Sequence, residues 1–133
     1  MDIKFSPTCN ILTVAQITGE VRIYAYSETK MDLVLKFKNH KDSVRSLEFN
    51  PQGNILYCAS KDQSFSVISN GRVEGVVKDA HEEPINKIIH IENDHIVATG
   101  DDNGLIKIWD LRLAVGDAKK ACVMTLDEHE GSV

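Results

Sequence analysis

Three kinds of side chain that support nucleophilic catalysis recur along this chain. Histidines stand at His40, His81 and His129, hydroxyls at Ser60 and Thr99, and acids at Asp62 and Asp102, the last beside Asn103. Imidazole, carboxylate and hydroxyl within hydrogen-bond reach are the parts of an activated nucleophile. Their spacing argues against that use. His40 and His81 lie 41 residues apart, and His81 and His129 lie 48 apart. An active site has no reason to recur once per unit, whereas a structural device does. The set is therefore read as structural, with no catalytic residue and no enzyme expected. Gly-x-Ser-x-Gly, His-Glu-x-x-His and Walker-type patterns are absent from the sequence. Asp101-Asp102 is a paired carboxylate that could hold a metal. It stands without a wider set of ligands, so the reading is a turn with solvated acids. Cys9, Cys58 and Cys122 are odd in number and form no Cys-x-x-Cys pair. They read as small buried hydrophobes, not as a disulfide framework or a zinc site. No cofactor and no metal are expected.

Composition narrows the partners. The 133 residues carry a net charge of −5 and are 42% hydrophobic, which suits one ordinary globular domain. Lys36, Lys38 and Lys41 form one short basic cluster and Lys119-Lys120 another. Phosphate binding needs a longer basic stripe, so direct nucleic-acid binding is not expected. No apolar run approaches the ~18 residues of a membrane span, and Met1 to Pro7 do not read as a secretory leader. An intracellular setting is the expectation.

The elements that position these residues form repeats. Phe5 to Ala15 aligns with Phe49 to Ala59, and a shortened version runs from Ile91 to Gly100. In the first two, Pro followed by Gly or Asn supplies the turn. Val21-Arg22-Ile23-Tyr24, Phe65-Ser66-Val67-Ile68 and Ile106-Lys107-Ile108-Trp109 form a second register. Their alternation marks strands. The histidines, each placed before the first strand of a unit, form a third. Strands are predicted near 2–6, 11–16, 21–26, 33–37, 44–49, 54–59, 64–69, 73–78, 85–91, 95–99, 105–110 and 121–126, with a surface loop over 112–120.

Ala98 to Trp109-Asp110, ending in the Trp-Asp dipeptide, resembles the signature of the WD-repeat β-propeller family. Tyr24-Ala25 and Ile68-Ser69 stand where the other units would carry that dipeptide, and Asn39-His40, Ala80-His81 and Glu128-His129 stand for the family's Gly-His. The resemblance implies an all-β fold of four-stranded antiparallel blades. Blade 1 would span about 2–37, blade 2 about 44–78 and blade 3 about 85–126, with a fourth repeat starting at 129–133. It also implies a hydrogen-bonded network in each blade. The third unit would use His81, Thr99 and Trp109, its acidic place left open between Asp102 and Asn103. The second would use His40, Ser60 and Asp62, with Ile68 in place of tryptophan; the first has Thr18 at the acidic position. Three blades cannot close a ring. Exposed edges would favour association or instability, and the chain is expected to be a fragment, a truncated gene model or an isoform.

Lys78 to Asn86 and Val97 to Gly104 further resemble one branch of the family. That branch implies a nuclear and nucleolar scaffold, with the cytoplasm as an alternative place, supporting ribosomal RNA production and ribosome assembly. Its partners would be other proteins, chiefly nuclear assembly factors. Contacts are expected on the loops at Lys41-Asp42, Lys61-Asp62 and Glu82-Glu83-Pro84. An alternative reading comes from Trp109-Asp110-Leu111-Arg112. It matches the Trp-Asp-x-Arg motif of family members that serve as substrate receptors of cullin-RING ubiquitin ligases. Asp110 and Arg112 would then dock a ubiquitin-ligase adaptor.

Overall fold

The computed structural model describes residues 2–113 and 121–127. The expected fourth-repeat start at 129–133, His129, and most of the expected loop over 112–120 lie outside the described residues. Among the described residues twelve strands run in chain order: β1 Asp2–Phe5, β2 Ile11–Ala15, β3 Val21–Tyr26, β4 Met31–Phe37, β5 Val44–Phe49, β6 Ile55–Ser60, β7 Phe65–Ser69, β8 Arg72–Val77, β9 Ile85–Glu92, β10 Ile96–Asp101, β11 Ile106–Asp110 and β12 Cys122–Leu126. A 3-10 turn, Leu111–Leu113, follows β11. Each strand falls within two residues of its sequence prediction.

The strands form three antiparallel four-stranded sheets, each built from four consecutive strands in order. Tight turns explain the simple order. Gly19 and Gly104 take positive φ between the second and third strands of sheets 1 and 3, a conformation open to glycine without steric cost. Gln63 takes the same position in sheet 2 with φ of 73°. Its side-chain amide donates to the Glu82 carbonyl at 3.0 Å, which ties that turn to the loop before sheet 3.

The sheets stack face to face, with two separate cores between them. Leu56, Cys58 and Ile68 of sheet 2 pack with Ala15, Val21 and Ile23 of sheet 1. Tyr57, Ala59 and Phe65 pack with Val97, Ile88 and Trp109 of sheet 3. Successive side chains of a strand point to opposite faces, so β6 must be apolar at every position from Ile55 to Ala59. A strand buried on both faces loses its polar alternation. The outer faces of sheets 1 and 3 keep apolar residues in the open: Ile3 and Phe5 are 58% exposed and Met124 is 54% exposed.

Side chains stitch neighbouring inner strands where the backbones do not pair. The Asp2 carboxylate accepts from the Leu47 N–H at 2.9 Å. The Ser46 hydroxyl accepts from the Ile88 N–H at 3.1 Å. Both donors lie between sheets and would otherwise be unpaired, which costs about 1–3 kcal/mol each when buried.

Candidate functional site

Most of the buried polar groups of sheets 2 and 3 collect at one end, where the segments holding His40 and His81 run into β5 and β9. In the third unit they form an unbroken relay. The Trp109 indole N–H donates to Thr99 Oγ1 at 2.8 Å. Thr99 Oγ1 lies 2.6 Å from His81 Nε2, and His81 Nδ1 lies 2.9 Å from Asp101 Oδ2. The indole can only donate and the carboxylate can only accept. The arrangement that uses every buried proton has Thr99 donating its O–H to Nε2 and Nδ1–H donating to Asp101. That direction requires a neutral imidazole. Burial lowers the His81 pKa, outweighing the opposing pull of Asp101, in agreement with the relay. All four residues are at most 2% exposed.

Asp101 is therefore the acid of the third unit, and the expectation that placed it at Asp102 or Asn103 is corrected. Position counting put the acid six residues before Trp109, whereas the working carboxylate stands eight before it. The turn makes this possible. Asp101 Oδ1 also accepts from the Asn103 and Leu105 N–H groups at 2.9 and 3.0 Å, so the carboxylate caps the turn with one oxygen and reaches His81 with the other. Asn103 is exposed. Asp102 turns away to Arg45, 3.1 Å distant, and Arg45 also donates to Asn86 at 2.9 Å. The two adjacent carboxylates thus diverge instead of converging on one point.

The second unit does the same job with other residues. His40 Nδ1 lies 3.1 Å from Asp62 Oδ2 and 3.0 Å from Ser64 Oγ. Its Nε2 meets Ser66 at 2.8 Å, not Ser60. Ser60, expected in the network, instead donates to the carbonyls of Asp42 and Ser43 and accepts from the Asp62 N–H at 3.0 Å. Its equivalent in the third unit is Asp101, 41 residues on, and Cys58 occupies the place of Thr99. With no hydroxyl on β6 facing His40, the hydroxyl comes from Ser66 on β7. Burial raises the Cys58 thiol pKa to about 12, so it stays an uncharged packing group. Burial opposes ionisation of Asp62. Hydrogen bonds from His40, Ser64 and the Lys41 N–H outweigh it and hold the carboxyl well below the usual range.

Sequence reasoning missed Asp101, Ser64 and Ser66. The signal for Asp101 was Asn103 itself: a neutral residue in the expected acidic place with a carboxylate two residues earlier. Thr18 of the first unit is exposed. The loop residues picked out earlier have anchored backbones and open side chains. Lys41, Asp42, Lys61 and Glu82 are exposed, and Glu83 and Pro84 are half-buried. The Lys41 N–H is held by Asp62 at 2.9 Å, the Lys61 N–H by the Ser43 carbonyl at 2.8 Å and the Pro84 carbonyl by the Asp102 N–H at 3.1 Å. Arg112 turns its fork onto Asp110, with Nε and Nη2 2.9 and 2.7 Å from the two carboxylate oxygens. These hydrogen bonds hold the Asp110 carboxyl below its usual range.

Two outcomes follow from this geometry. Asp101→Asn should cost about 1–3 kcal/mol of stability by leaving His81 poorly matched, whereas Asp102→Asn loses only a half-exposed ion pair worth about 0–1 kcal/mol. Urea unfolding of the two variants checks this, and equal losses would return the acidic place to Asp102. The second outcome concerns pH. The folded-state pKa of His81 lies below its unfolded value of 6.5, so its contribution is complete above that value and is lost as pH falls below it, when the unfolded chain takes the proton more readily. Unfolding midpoints should fall between about pH 7.5 and pH 5.5, with a shallower slope in His81→Gln. An equal slope in both proteins would remove His81 as the titrating group.

The model of the WD domain, G-beta repeat family matches residues 31–69 and 74–110. Each match takes the last strand of one sheet and the first three of the next, β4 to β7 and then β8 to β11. The WD repeat-containing protein 55 homolog of Aedes aegypti is 37% identical over 84% of this chain and 24% of its own length. That of Drosophila melanogaster is 34% identical over 84% of this chain and 22% of its own length. The chain thus spans about a quarter of the curated relatives it matches. Among solved structures, Sqt1 from Chaetomium thermophilum superimposes with a TM-score of 0.83 at 20% identity, over 97% of this chain and 36% of that one. The same protein bound to the N-terminus of the ribosomal protein L10 gives 0.81 at 21% identity, over 97% and 34%. Matched repeats over more than half of the residues, on stacked four-stranded sheets that bury the Trp109 relay, place this chain in the WD-repeat family.

Proposed function

We propose that this chain is part of a non-catalytic protein scaffold that works in ribosomal RNA production and ribosome assembly, in the nucleus and nucleolus. The observation that carries the scaffold reading is the use made of the buried polar groups. Histidine, carboxylate and hydroxyl are consumed in holding loops, and those loops present exposed charges at Lys41, Asp42, Lys61 and Glu82. Rigidly anchored, chemically varied loops on a β scaffold suit protein recognition. The chain is similar to the WD repeat-containing protein 55 homologs, and the nucleolar part of the proposal is what the branch resemblance of Lys78 to Asn86 and Val97 to Gly104 implies. Sqt1, which shares the fold, is seen bound to the N-terminus of the ribosomal protein L10, so this fold can serve protein recognition. The partners proposed are nuclear assembly factors. Docking on a ubiquitin-ligase adaptor through Asp110 and Arg112 is not carried further, because Asp110 already occupies the Arg112 fork.

Proximity labelling and imaging of the tagged full-length protein test the proposal. Nucleolar signal, enrichment of ribosome-assembly proteins and accumulation of unprocessed ribosomal RNA on depletion are expected. A protein confined to the cytoplasm, with ribosomal RNA processing unchanged on depletion, would contradict it.

A further inference from the structure

The fourth strand of every sheet carries a register shift at the same place. The shift brings Leu35 opposite Ile23, Gly75 opposite Val67 and Met124 opposite Ile108. Two sheets thus fill this position with a large apolar side chain and sheet 2 leaves it empty. Nothing in the backbone requires glycine there. Gly75 is not among the residues with positive φ, and a Cβ built on it meets no atom within 4 Å.

The volumes of the hollows differ in the same sense. Between sheets 1 and 2 the hollow lined by Ile11, Ile23 and Leu35 measures about 150 Å³. Its counterpart between sheets 2 and 3, lined by Ile55, Val67 and Gly75, measures about 410 Å³. Val77 and Leu111 complete the apolar wall, and Glu74 and Asp94 bring carboxylates to it. Among the described residues that line it there is no Lys or Arg. Glu74 is held by the exposed Arg72 at 3.2 Å and Asp94 accepts from Asn50 at 2.9 Å, so both carboxylates are fixed in place.

We propose that the groove beside Gly75 is a docking site for a basic peptide segment of a partner protein, which inserts one leucine-sized side chain where Leu35 and Met124 stand in the other sheets. The missing side chain defines the apolar half of the ligand, and Asp94, together with Glu74 where a ligand cation shares it with the exposed Arg72, defines its charge. Buried apolar contact supplies the affinity and the carboxylates favour flanking lysines or arginines. This deepens the scaffold reading, and rests on it, by naming one surface and the chemistry of what it takes.

The test uses the full chain and a fluorescein-labelled Lys-Lys-Leu-Lys-Lys peptide as probe, read by fluorescence anisotropy and by amide chemical shifts. Binding should weaken about tenfold or more when the peptide leucine becomes alanine, and by a similar factor in Gly75→Leu, the lost contact being that of one buried leucine. Gly75→Leu should retain or raise the thermal midpoint, since it fills open space, and should bind the leucine and alanine peptides alike. Glu74→Lys should weaken binding without changing the preference for leucine. Shifts should concentrate at Val67, Gly75 and Leu111. Undiminished binding to Gly75→Leu, shifts confined to the loops at Lys41 and Glu82, or no binding would each overturn the site. Nucleolar partners still recovered with full-length protein carrying Gly75→Leu would leave the scaffold reading standing while removing this groove from it.

Discussion

The relay from Trp109 through Thr99 and His81 to Asp101 is the constraint on which the third sheet depends. An indole N–H, a hydroxyl, an imidazole and a carboxylate are all withdrawn from water. Each is costly to bury alone and acceptable in company. Because every member makes its bond with the next, none can be replaced without stranding a neighbour. The relay joins β11 and β10 to the loop that enters β9, so the sheet and the loop before it order together. The same coupling gives the exposed loop charges their fixed positions.

The second sheet shows that the constraint acts on geometry, not on residue identity at a numbered place. Asp62 and Asp101 stand at different points of their turns, yet each reaches a histidine Nδ1. Thr99 on β10 and Ser66 on β7 each reach Nε2. Ile68 takes the place of Trp109 and packs into the core between sheets 1 and 2, and with no indole donor there the hydroxyl has one bond fewer to make. Departures of this kind are tolerated because the turn and the facing strand offer more than one position within reach of the same ring.

Strands were legible because alternation, turns with Pro and a later Gly or Asn, and the repeat spacing all pointed the same way. β6 was legible as a strand even without alternation, since its length and flanking turns were those of its neighbours. The acid of the third unit was not, because counting back from Trp109 assumes that every turn presents its carboxylate from one position. The hydroxyl of the second unit was missed for the same reason: Ser66 lies on the neighbouring strand, and adjacency across a sheet is not visible along the chain. Gly75 is a further case. Only the register shift in the fourth strands aligns it with Leu35 and Met124, and a one-residue bulge moves every later side chain to the other face.

Trp109 is the single tryptophan of the chain, so its indole N–H gives one resolved signal, and its hydrogen exchange reports the relay directly. If the relay holds the sheet and its loop as one unit, that proton exchanges only through global unfolding, as slowly as the most protected amides, and His81→Ala accelerates it far more than it accelerates the amides of sheet 1. An indole proton that exchanges quickly in the native protein, or whose exchange is indifferent to the loss of His81, would contradict the account.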